Sequence, residues 1–267
     1  MNLISFDTMR SLGIKGMYPI KPEDWFREKD KVKKADWILF PEYWQVNALV
    51  YSLKKKIFPS INTYHLAHNK IEMTRAIQAI APENVPYTKI FPKTELASEL
   101  ILEEFNFPFV AKIIRSCRGS GVFLIENKAD LIKYINDNDI LYIQEYLQIN
   151  RDLRIVFIGN SAIASYWRIA QNGCFHNNVS KGAEVCFDDI PQKAIELVEN
   201  ISKATGINYA GFDVAEVDGN FYIFEFNLRF GASGLQERGI NMGAIILKYL
   251  EDNSIAPLDN PGLAKAV

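Results

Sequence analysis

One predicted hairpin near the carboxyl end of the chain constrains the fold more than any other feature. Its second strand, FYIFEFN at residues 221–227, is apolar and aromatic except for Glu225 and Asn227. An acid inside an apolar strand is costly to bury unless something compensates its charge. This stretch therefore predicts a strand with one buried face and one face that carries a polar site.

The register of this hairpin decides which residue faces Glu225. A two-residue turn would place Asp213 and Glu225 on opposite faces of the hairpin. A three-residue loop over 218–220 places them directly opposite each other and pairs Val217 with Phe221. We expect this loop, because the asparagine at its third position tolerates a positive φ.

In that register two carboxylates and an amide share one face. Like charges that lie directly opposite each other destabilise a sheet, and a divalent cation would remove the conflict. Asp213, Glu225 and Asn227 supply the oxygen ligands that Mg²⁺ takes, usually together with water and phosphate oxygens. The alternative is that the acids lie on the solvated face of an edge hairpin.

A second constellation surrounds a lysine in another apolar strand. Lys112 lies in FVAKII and is followed by a loop, SCRGSG, that contains Gly119 and Gly121. The loop differs from a Walker A motif, because the lysine precedes the glycines. Glycines permit close approach of backbone N–H groups to phosphate oxygens. The alternative is a plain hairpin turn beside a lysine whose side chain extends to water.

Composition limits the function classes. The 267 residues are 48% hydrophobic and 23% charged, with 30 basic and 32 acidic residues, which is ordinary for a globular protein and argues against a general nucleic-acid or membrane-surface binder. Cys117, Cys174 and Cys186 are too few and scattered for a disulfide framework or a thiolate metal site. Without a signal-peptide pattern or a long apolar run, we expect a reduced, soluble, cytoplasmic protein.

The periodicity of the chain predicts mixed α and β structure. Residues 1–66 predict a small α/β unit with strands in MNLISFD and ADWILFPEY, followed by a helix in QVNALVYSLKKK. Further helices are predicted at 68–80, 95–105 with Thr94 as N-cap, 128–138, 189–206 and 243–253. Further strands are predicted at 107–114, 122–127 and 140–147, together with a hairpin over 151–170.

The order and spacing of seven short motifs resemble the ATP-grasp superfamily. The motifs are NK at 69–70, VPYT at 85–88, VAKII…GSGV at 110–122, QEYL at 144–147, RDLRIVFIG at 151–159, GFDV at 211–214 and FEFN at 224–227. They are most similar to RimK-like carboxylate–amine ligases, and more distantly to glutathione synthetase and D-Ala-D-Ala ligase. The resemblance covers residues 60–250 and implies an α/β (α+β) fold with two α+β subdomains that clasp ATP. It implies a short α/β N-terminal domain over 1–66 and an ATP-grasp domain over 67–267, divided into subdomains 67–147 and 148–267.

The resemblance also implies roles for individual residues. The residues implied to bind the nucleotide are Lys70 and Lys112 at the phosphates, Gly119, Ser120 and Gly121 in the mobile loop, Gln144, Glu145, Tyr146 and Leu147 at the adenine hinge, Asp152 at the ribose and Asn178 near the phosphates. Asp213, Glu225 and Asn227 match the magnesium ligands. Arg168 matches the catalytic arginine that stabilises the transferring phosphoryl group, and Arg154, Asn178 and Lys181 belong to the same polar group of residues.

The implied chemistry is stepwise. A substrate carboxylate attacks the γ-phosphate of ATP, giving an acyl phosphate and ADP, and an amine then displaces phosphate. The implied cofactors are ATP and one or two Mg²⁺ ions, for which Mn²⁺ could substitute. The expected partners are ATP and a small-molecule carboxylate and amine, without nucleic acid or membrane, and a homodimer is left open.

Some residues depart from the family pattern. LRFGASG follows Asn227, which is closer to carboxylase-type members. Arg229 is therefore a candidate catalytic residue, beside Arg168 and Lys112, that contacts a carboxylate, a bicarbonate-derived group or a phosphate. Its alternative role is a salt bridge to Glu237 or a neighbour. Arg115 and Arg118 beside the glycine-rich loop either hold an acidic substrate or steer ATP.

Two other function classes compete with the ligase. An ATP-binding module or subunit without ligase activity fits the short N-terminal part, and a carboxylase-type ATP-grasp enzyme fits the sequence after Asn227. A retaining glycosidase also uses paired carboxylates about 5 Å apart, but it offers no role for Lys112 or the glycine-rich loop. The substrates and the oligomeric state do not follow from the sequence.

Overall fold

Among the described residues, the computed structural model of the chain contains three β-sheets, each flanked by helices. The structure describes residues 1–116, 121–169, 184–231 and 233–254. Several residues named above lie outside these ranges: Cys117, Arg118, Gly119, Ser120, Cys174, Asn178 and Lys181.

The first sheet is parallel and belongs to the N-terminal part. Its strands are β1 (Leu3–Ser5), β2 (Met17–Pro19), β3 (Trp37–Leu39) and β4 (Lys56–Phe58), in the order β2-β1-β3-β4. Helix α1 (Lys29–Lys34) precedes β3, and α2 (Tyr43–Asn47) follows it and continues as a π-helical turn over Ala48–Ser52. The two predicted strands and the following helix are confirmed, whereas the three-residue strands β2 and β4 were not predicted.

The second sheet is antiparallel. Its strands are β5 (Thr88–Pro92), β6 (Phe109–Lys112), β7 (Val122–Ile125) and β8 (Ile140–Glu145), in the order β5-β8-β6-β7. Helices α5 (Ala97–Glu104) and α6 (Lys128–Asp137) bury Ile101 and Leu131 against this sheet. The predicted N-cap at Thr94 is wrong: α5 begins at Ala97, after Leu96, and no side chain caps it.

The third sheet is also antiparallel. Its strands are β9 (Arg151–Ile158), β10 (Ser161–Ile169), β11 (Glu184–Cys186), β12 (Tyr209–Val217) and β13 (Asn220–Asn227), in the order β11-β10-β9-β12-β13. Helix α7 (Gln192–Thr205) packs on it and ends at Gly206, whose φ of 73° is the left-handed C-cap expected from the sequence. The chain continues with α8 (Ser233–Glu237) and α9 (Met242–Asp252).

Two helices connect the first sheet to the second. These are α3 (Ile61–His68), which was not predicted, and α4 (Lys70–Ile80), which was. The apolar face of α4 carries Met73 and Ile77, and it packs into the core of the third sheet rather than that of the second. Lys70, at the first position of α4, is thereby brought to the third sheet. Each sheet lies within one of the three predicted segments, but the segment boundaries themselves stay predictions.

The final hairpin corrects one prediction and explains another. The turn has two residues, Asp218 and Gly219, with φ of 51° and 76°, so the predicted three-residue loop is wrong and Val217 pairs with Asn220. Asp213 nevertheless lies opposite Glu225, because the pairing shifts by one residue between Asp213 and Val214. The extra residue on β13 is Phe224, and such a β-bulge re-aims the side chains that follow it.

Within the four described ranges, no helix is both long and apolar enough to cross a membrane.

Candidate active site

One half of the candidate site, here called the lysine cluster, consists of Lys70, Lys112, Glu225 and Asn227. Lys112 comes from β6 of the second sheet, is 4% exposed, and donates from Nζ to the carbonyl oxygen of Phe224 at 3.4 Å. Nζ of Lys70 lies 3.6 Å from Oε2 of Glu225. The amide of Asn227 donates to Oε1 of Glu225 at 2.9 Å. The lysine cluster therefore joins groups from α4 and two different sheets.

The charges in the lysine cluster shift each other's pKa values. Burial would raise the pKa of Glu225, but Lys70, Lys112 and the hydrogen bond from Asn227 together lower it below its usual value. Burial lowers the pKa of Lys112, against the opposing effects of Glu225 and Asp213. The carboxylate is thus stabilised in its charged form, whereas the ammonium of Lys112 lies where further negative charge would be favourable.

The other half, here called the arginine cluster, consists of Asp152, Arg154, Arg168 and Asp213 on strands β9, β10 and β12. All four residues are buried, each less than a tenth exposed as a whole residue. Arg168 donates from Nε and Nη2 to the two oxygens of Asp152 at 2.8 and 2.5 Å. Arg154 donates from Nη1 to the carbonyl oxygen of Gly211 at 3.2 Å. Every member of the arginine cluster belongs to the third sheet.

Asp213 supplies the structural test of a metal site. Its Oδ1 lies 3.0 Å from Nε of Arg154 and 2.9 Å from Nη2 of Arg168. Even so, this buried atom accepts no hydrogen bond of good geometry from the part of the chain that the structure describes. A buried carboxylate oxygen with positive charge nearby but no directed donor is suited to a cation.

The donor set fits magnesium rather than a transition metal. Two carboxylates and an amide are hard oxygen ligands, and the amide nitrogen of Asn227 is already bonded to Glu225, which leaves its oxygen for a cation. The described residues contain no group of three or more His, Cys, Asp or Glu side chains that could hold a metal ion. A magnesium ion held by these residues would complete its coordination with water or phosphate oxygens.

Asp152 lies in a different environment from the one expected. The sequence predicts a ribose contact, whereas the structure places this side chain 7% exposed, with both oxygens bonded to Arg168. Burial raises the pKa of Asp152 to about 6, with Arg168 acting against the rise. These contacts suit a residue that orients Arg168, and the ribose contact stays a prediction.

The base of the glycine-rich loop is described at Gly121. Its carbonyl oxygen accepts a hydrogen bond from the N–H of Ile113 at 2.7 Å, beside the pairing of Lys112 with Val122. A Cβ at Gly121 would lie 2.3 Å from Oγ of Ser116, so only glycine fits here. Ser116 also accepts from Nζ of Lys70, at its carbonyl oxygen at 3.1 Å and at Oγ at 3.2 Å.

The predicted adenine hinge lies at the end of β8. The side chain of Gln144 is 1% exposed and donates to Oγ1 of Thr88 at 2.8 Å. Glu145 accepts from the N–H of Tyr87 at 2.6 Å and donates its own N–H to the carbonyl oxygen of Tyr87 at 2.9 Å. Tyr146 and Leu147 follow, both partly buried. These bonds fix the end of β8, and the adenine contacts of residues 144–147 stay predictions.

Arg229 forms an ion pair that the sequence did not predict. Its Nη2 lies 3.0 Å from Oε1 and 2.9 Å from Oε2 of Glu42, which follows β3 in the N-terminal part. The expected alternative partner was Glu237 or a neighbour in sequence. Glu42 is 187 residues away, so no local pattern pointed to it.

Sequence reasoning also missed the residues that support Lys112. The ring of Tyr142 lies with its centroid 5.6 Å from Nζ of Lys112, and the Tyr142 hydroxyl is hydrogen-bonded to Oγ1 of Thr74 at 2.7 Å. Gln144 donates to the same hydroxyl at 3.3 Å. The alternation of Tyr142 with Gln144 on one face of β8 was the signal available in the sequence.

Comparisons with known proteins agree with this geometry. The family described as RimK-like ATP-grasp domain matches residues 67–250. The chain is 25% identical over 186 residues to a probable alpha-L-glutamate ligase of Enterobacter sp. (strain 638), which covers 66% of this chain and 62% of that protein. It is 24% identical, with the same coverage, to a ribosomal protein bS6–L-glutamate ligase of Escherichia fergusonii. This chain thus spans less than two thirds of the length of these two relatives.

A solved structure supports the fold. A RimK-domain ATP-grasp protein from Sphaerobacter thermophilus superposes with a TM-score of 0.71 at 16% identity, covering 93% of this chain and 99% of that one. Two α+β units that face each other across a cluster of lysines and carboxylates define the protein as one with an ATP-grasp fold. Within that class, the chain belongs to the RimK-like ATP-grasp family.

Proposed function

We propose that the protein is an ATP-dependent ligase that activates a substrate carboxylate as an acyl phosphate and joins it to an amine. One observation carries this proposal: two buried lysines, one from α4 and one from the second sheet, meet carboxylates of the third sheet. Lys70 approaches Glu225 at 3.6 Å, and Lys112 reaches the backbone of Phe224. Cations and metal-type ligands from separate units, held together in this way, favour a site for a nucleotide polyphosphate and its metal ion.

The roles proposed for the described residues follow from charge and position. Lys70 and Lys112 bind phosphate oxygens, and Asp213, Glu225 and Asn227 hold magnesium. Magnesium, when bound, supplies positive charge that neutralises the phosphate oxygens. Arg168, which Asp152 holds bidentately, stabilises the phosphoryl group during transfer. We also propose that Gly119 and Ser120, the residues of 144–147 and Asn178 contact the nucleotide, as the sequence predicts.

The reaction balances as two displacements. A carboxylate oxygen of the substrate bonds to the γ-phosphorus of ATP, and ADP leaves with the electrons of the broken P–O bond. The nitrogen of an amine then bonds to the carbonyl carbon, inorganic phosphate leaves, and one proton is released from the nitrogen. The positioning of charged groups provides most of the catalysis, so the proposal requires no nucleophilic side chain.

The substrates to be tested extend beyond the small molecules that the sequence predicts. One relative is named for its action on ribosomal protein bS6, so the substrates to be tested include polypeptides as well as small-molecule carboxylates and amines. L-Glutamate, from the names of both relatives, is the first amine to test. Cytoplasmic location and a homodimer stay predictions.

Release of ADP in the presence of Mg²⁺ tests the proposal. We expect release that depends on a carboxylate and an amine, measured over a panel of amino acids, dicarboxylates and short peptides, with the new amide identified by mass spectrometry. Glu225→Gln removes a metal ligand with little change in shape and should lower turnover about 10²- to 10³-fold. Glu216→Gln, on the same hairpin but paired only with exposed Arg151 at 3.7 Å, is the matched control and should retain full turnover.

The same assay separates the competing function. An ATP-binding module without ligase activity would bind MgATP but form no amide with any member of the panel. Equal turnover in Glu225→Gln and Glu216→Gln would contradict the metal assignment.

A further inference from the structure

We propose that Arg229 binds a carboxylate of the substrate and that Glu42 occupies Arg229 until that carboxylate arrives. The inference rests on the proposed function, because it assigns the substrate side of the same site. It names a competing group inside the protein, which the family membership and the relatives' names do not supply.

Arg229 and Glu42 form an exposed ion pair. One nitrogen of Arg229, Nη2, donates to both oxygens of Glu42, at 3.0 and 2.9 Å, and such a charge-assisted contact can equally be made to a substrate carboxylate. The Arg229 side chain is 61% exposed and the Glu42 side chain 38% exposed. An ion pair this exposed contributes little to stability, and another carboxylate can replace the one that it contains.

The position of the pair in the fold also favours this role. Glu42 lies just beyond the carboxyl end of β3, and the sheet order β2-β1-β3-β4 means that the chain leaves β1 and β3 towards opposite sides. Crevices at such a reversal are where open parallel sheets bind ligands. Arg229 lies only two residues after Asn227, a proposed metal ligand. The pair therefore connects a ligand-binding edge of the N-terminal sheet to the proposed magnesium site.

Glu42 begins helix α2 through a capping box, in which its carboxylate faces the N–H of Gln45 and the Gln45 side chain holds the N–H of Glu42. The N–H of Glu42 donates to Oε1 of Gln45 at 2.8 Å, and Gln45 is fully buried and donates to the carbonyl oxygen of Pro22 at 3.2 Å. The ring of Tyr43 stacks on His68 with centroids 3.7 Å apart and planes 6° apart. Loss of the Arg229 contact therefore leaves this junction in place.

Two arginines and two acids act on the buried Tyr64 beside the Arg229–Glu42 pair. Tyr64 is buried and donates its hydroxyl to the carbonyl oxygen of Pro41 at 2.6 Å. Burial raises the pKa of Tyr64, and the nearest charges that modify it are those of Arg10, Glu42, Arg229 and Asp7. Asp7 already pairs with Arg10 at 3.4 Å within one turn of chain. Arg229, in contrast, depends on a distant residue for its partner, and it is the cation that a substrate can take over.

Titration with succinate tests the proposal on the full chain. The variants are Glu42→Gln, which removes the competing charge but keeps the backbone hydrogen bond, and Arg229→Gln, which removes the proposed receptor. Glu28→Gln is the matched control, because Glu28 also precedes a helix of the N-terminal part and forms an exposed pair, with Lys31 at 2.8 Å. Succinamide, which is uncharged, controls for binding that does not depend on a carboxylate.

We expect Glu42→Gln to bind succinate about two- to fivefold more tightly than the wild type, because the competing ion pair is a weak one. Arg229→Gln should lose succinate binding by about tenfold or more, since a charge-assisted hydrogen bond is lost. Glu28→Gln should match the wild type. Arg229→Lys keeps the positive charge but lacks the planar guanidinium, so it should bind succinate with intermediate affinity. This variant also controls for a folding defect in Arg229→Gln.

Unchanged or weaker succinate binding in Glu42→Gln would overturn the proposal, as would wild-type affinity in Arg229→Gln. Affinity for MgATP is measured separately on the same proteins. A wild-type protein that binds succinate in this pattern but does not bind MgATP would refute the proposed function and leave the carboxylate site standing.

Discussion

The arginine cluster and the lysine cluster each surround one of the two opposed carboxylates, but they are built in different ways. The arginine cluster lies entirely on strands of the third sheet, and its charges are bonded within that sheet. The lysine cluster draws Lys70 from α4 and Lys112 from the second sheet towards Glu225. The first cluster is complete in one folding unit, whereas the second exists only where units meet.

This difference suggests that the arginine cluster and the lysine cluster have different functions. Buried charges paired within one sheet must remain paired for that sheet to be stable. Buried lysines that reach across to another unit, and that gain from additional negative charge, are suited to a phosphate ligand. We therefore expect the same substitution to lower stability most in the arginine cluster and nucleotide affinity most in the lysine cluster, while Arg168 and Asp213 keep their proposed roles at the bound nucleotide.

The largest expected effect is that of Arg168→Met. The substitution leaves Asp152 and Asp213 as buried carboxylates without the guanidinium that contacts both of them. Because a buried charge without its partner is strongly destabilising, the free energy of unfolding should fall by about 3–5 kcal/mol. Urea denaturation of the nucleotide-free protein measures this, and a fall below about 1 kcal/mol would remove the distinction between the clusters.

Lys112→Met is the matched substitution in the lysine cluster. In this variant Glu225 still has Lys70 at 3.6 Å as a partner, so the free energy of unfolding should change by about 1 kcal/mol or less. Affinity for MgATP should fall by about 1.5–3 kcal/mol, the contribution of a charged hydrogen bond. Calorimetric titration measures the affinity. A Lys112→Met variant that is much less stable but binds MgATP with wild-type affinity would show that Lys112 serves stability rather than nucleotide binding.

The smallest effect is expected at the two-residue turn between β12 and β13. Gly219 has φ of 76° and no atom within 4 Å of a Cβ built there, so Gly219→Ala is limited by backbone strain alone. It should cost about 1 kcal/mol of stability and leave MgATP affinity unchanged. Asp218→Asn, which keeps a residue suited to a positive φ, is the control and should be neutral. A loss of MgATP affinity in Gly219→Ala would show that the turn sets the site geometry.

The hairpin of β12 and β13 also shows which features of the site could be predicted from the sequence. The facing of Asp213 and Glu225 was predicted correctly, but from a loop that does not form. The Asp-Gly turn forms as local preference favours, and the bulge at Phe224 then restores the facing pair. A bulge at phenylalanine leaves no mark in the sequence, because nothing in the residue type distinguishes it from a regular strand position.

Ion pairs between residues that are distant in the sequence could not be predicted. The sequence grouped Arg154 with Arg168, but the ion pairs of both with Asp213, and that of Arg168 with Asp152, depend on the register between strands. The Glu42–Arg229 pair joins distant parts of the chain, and the three-residue strands β2 and β4 are too short for a periodic pattern. Local periodicity determines most of the elements, whereas the pairing of charges follows from tertiary packing.

Calorimetric titration of ATP into the wild-type protein, with Mg²⁺ and with EDTA in its place, tests the central claim most directly. That claim is that the two clusters together hold one magnesium-bound nucleotide. We predict a single site that binds at least about tenfold more tightly with Mg²⁺, because Asp213 and Glu225 repel a phosphate chain that brings no cation. Equal affinity with and without Mg²⁺, or no binding of ATP under either condition, would contradict the account.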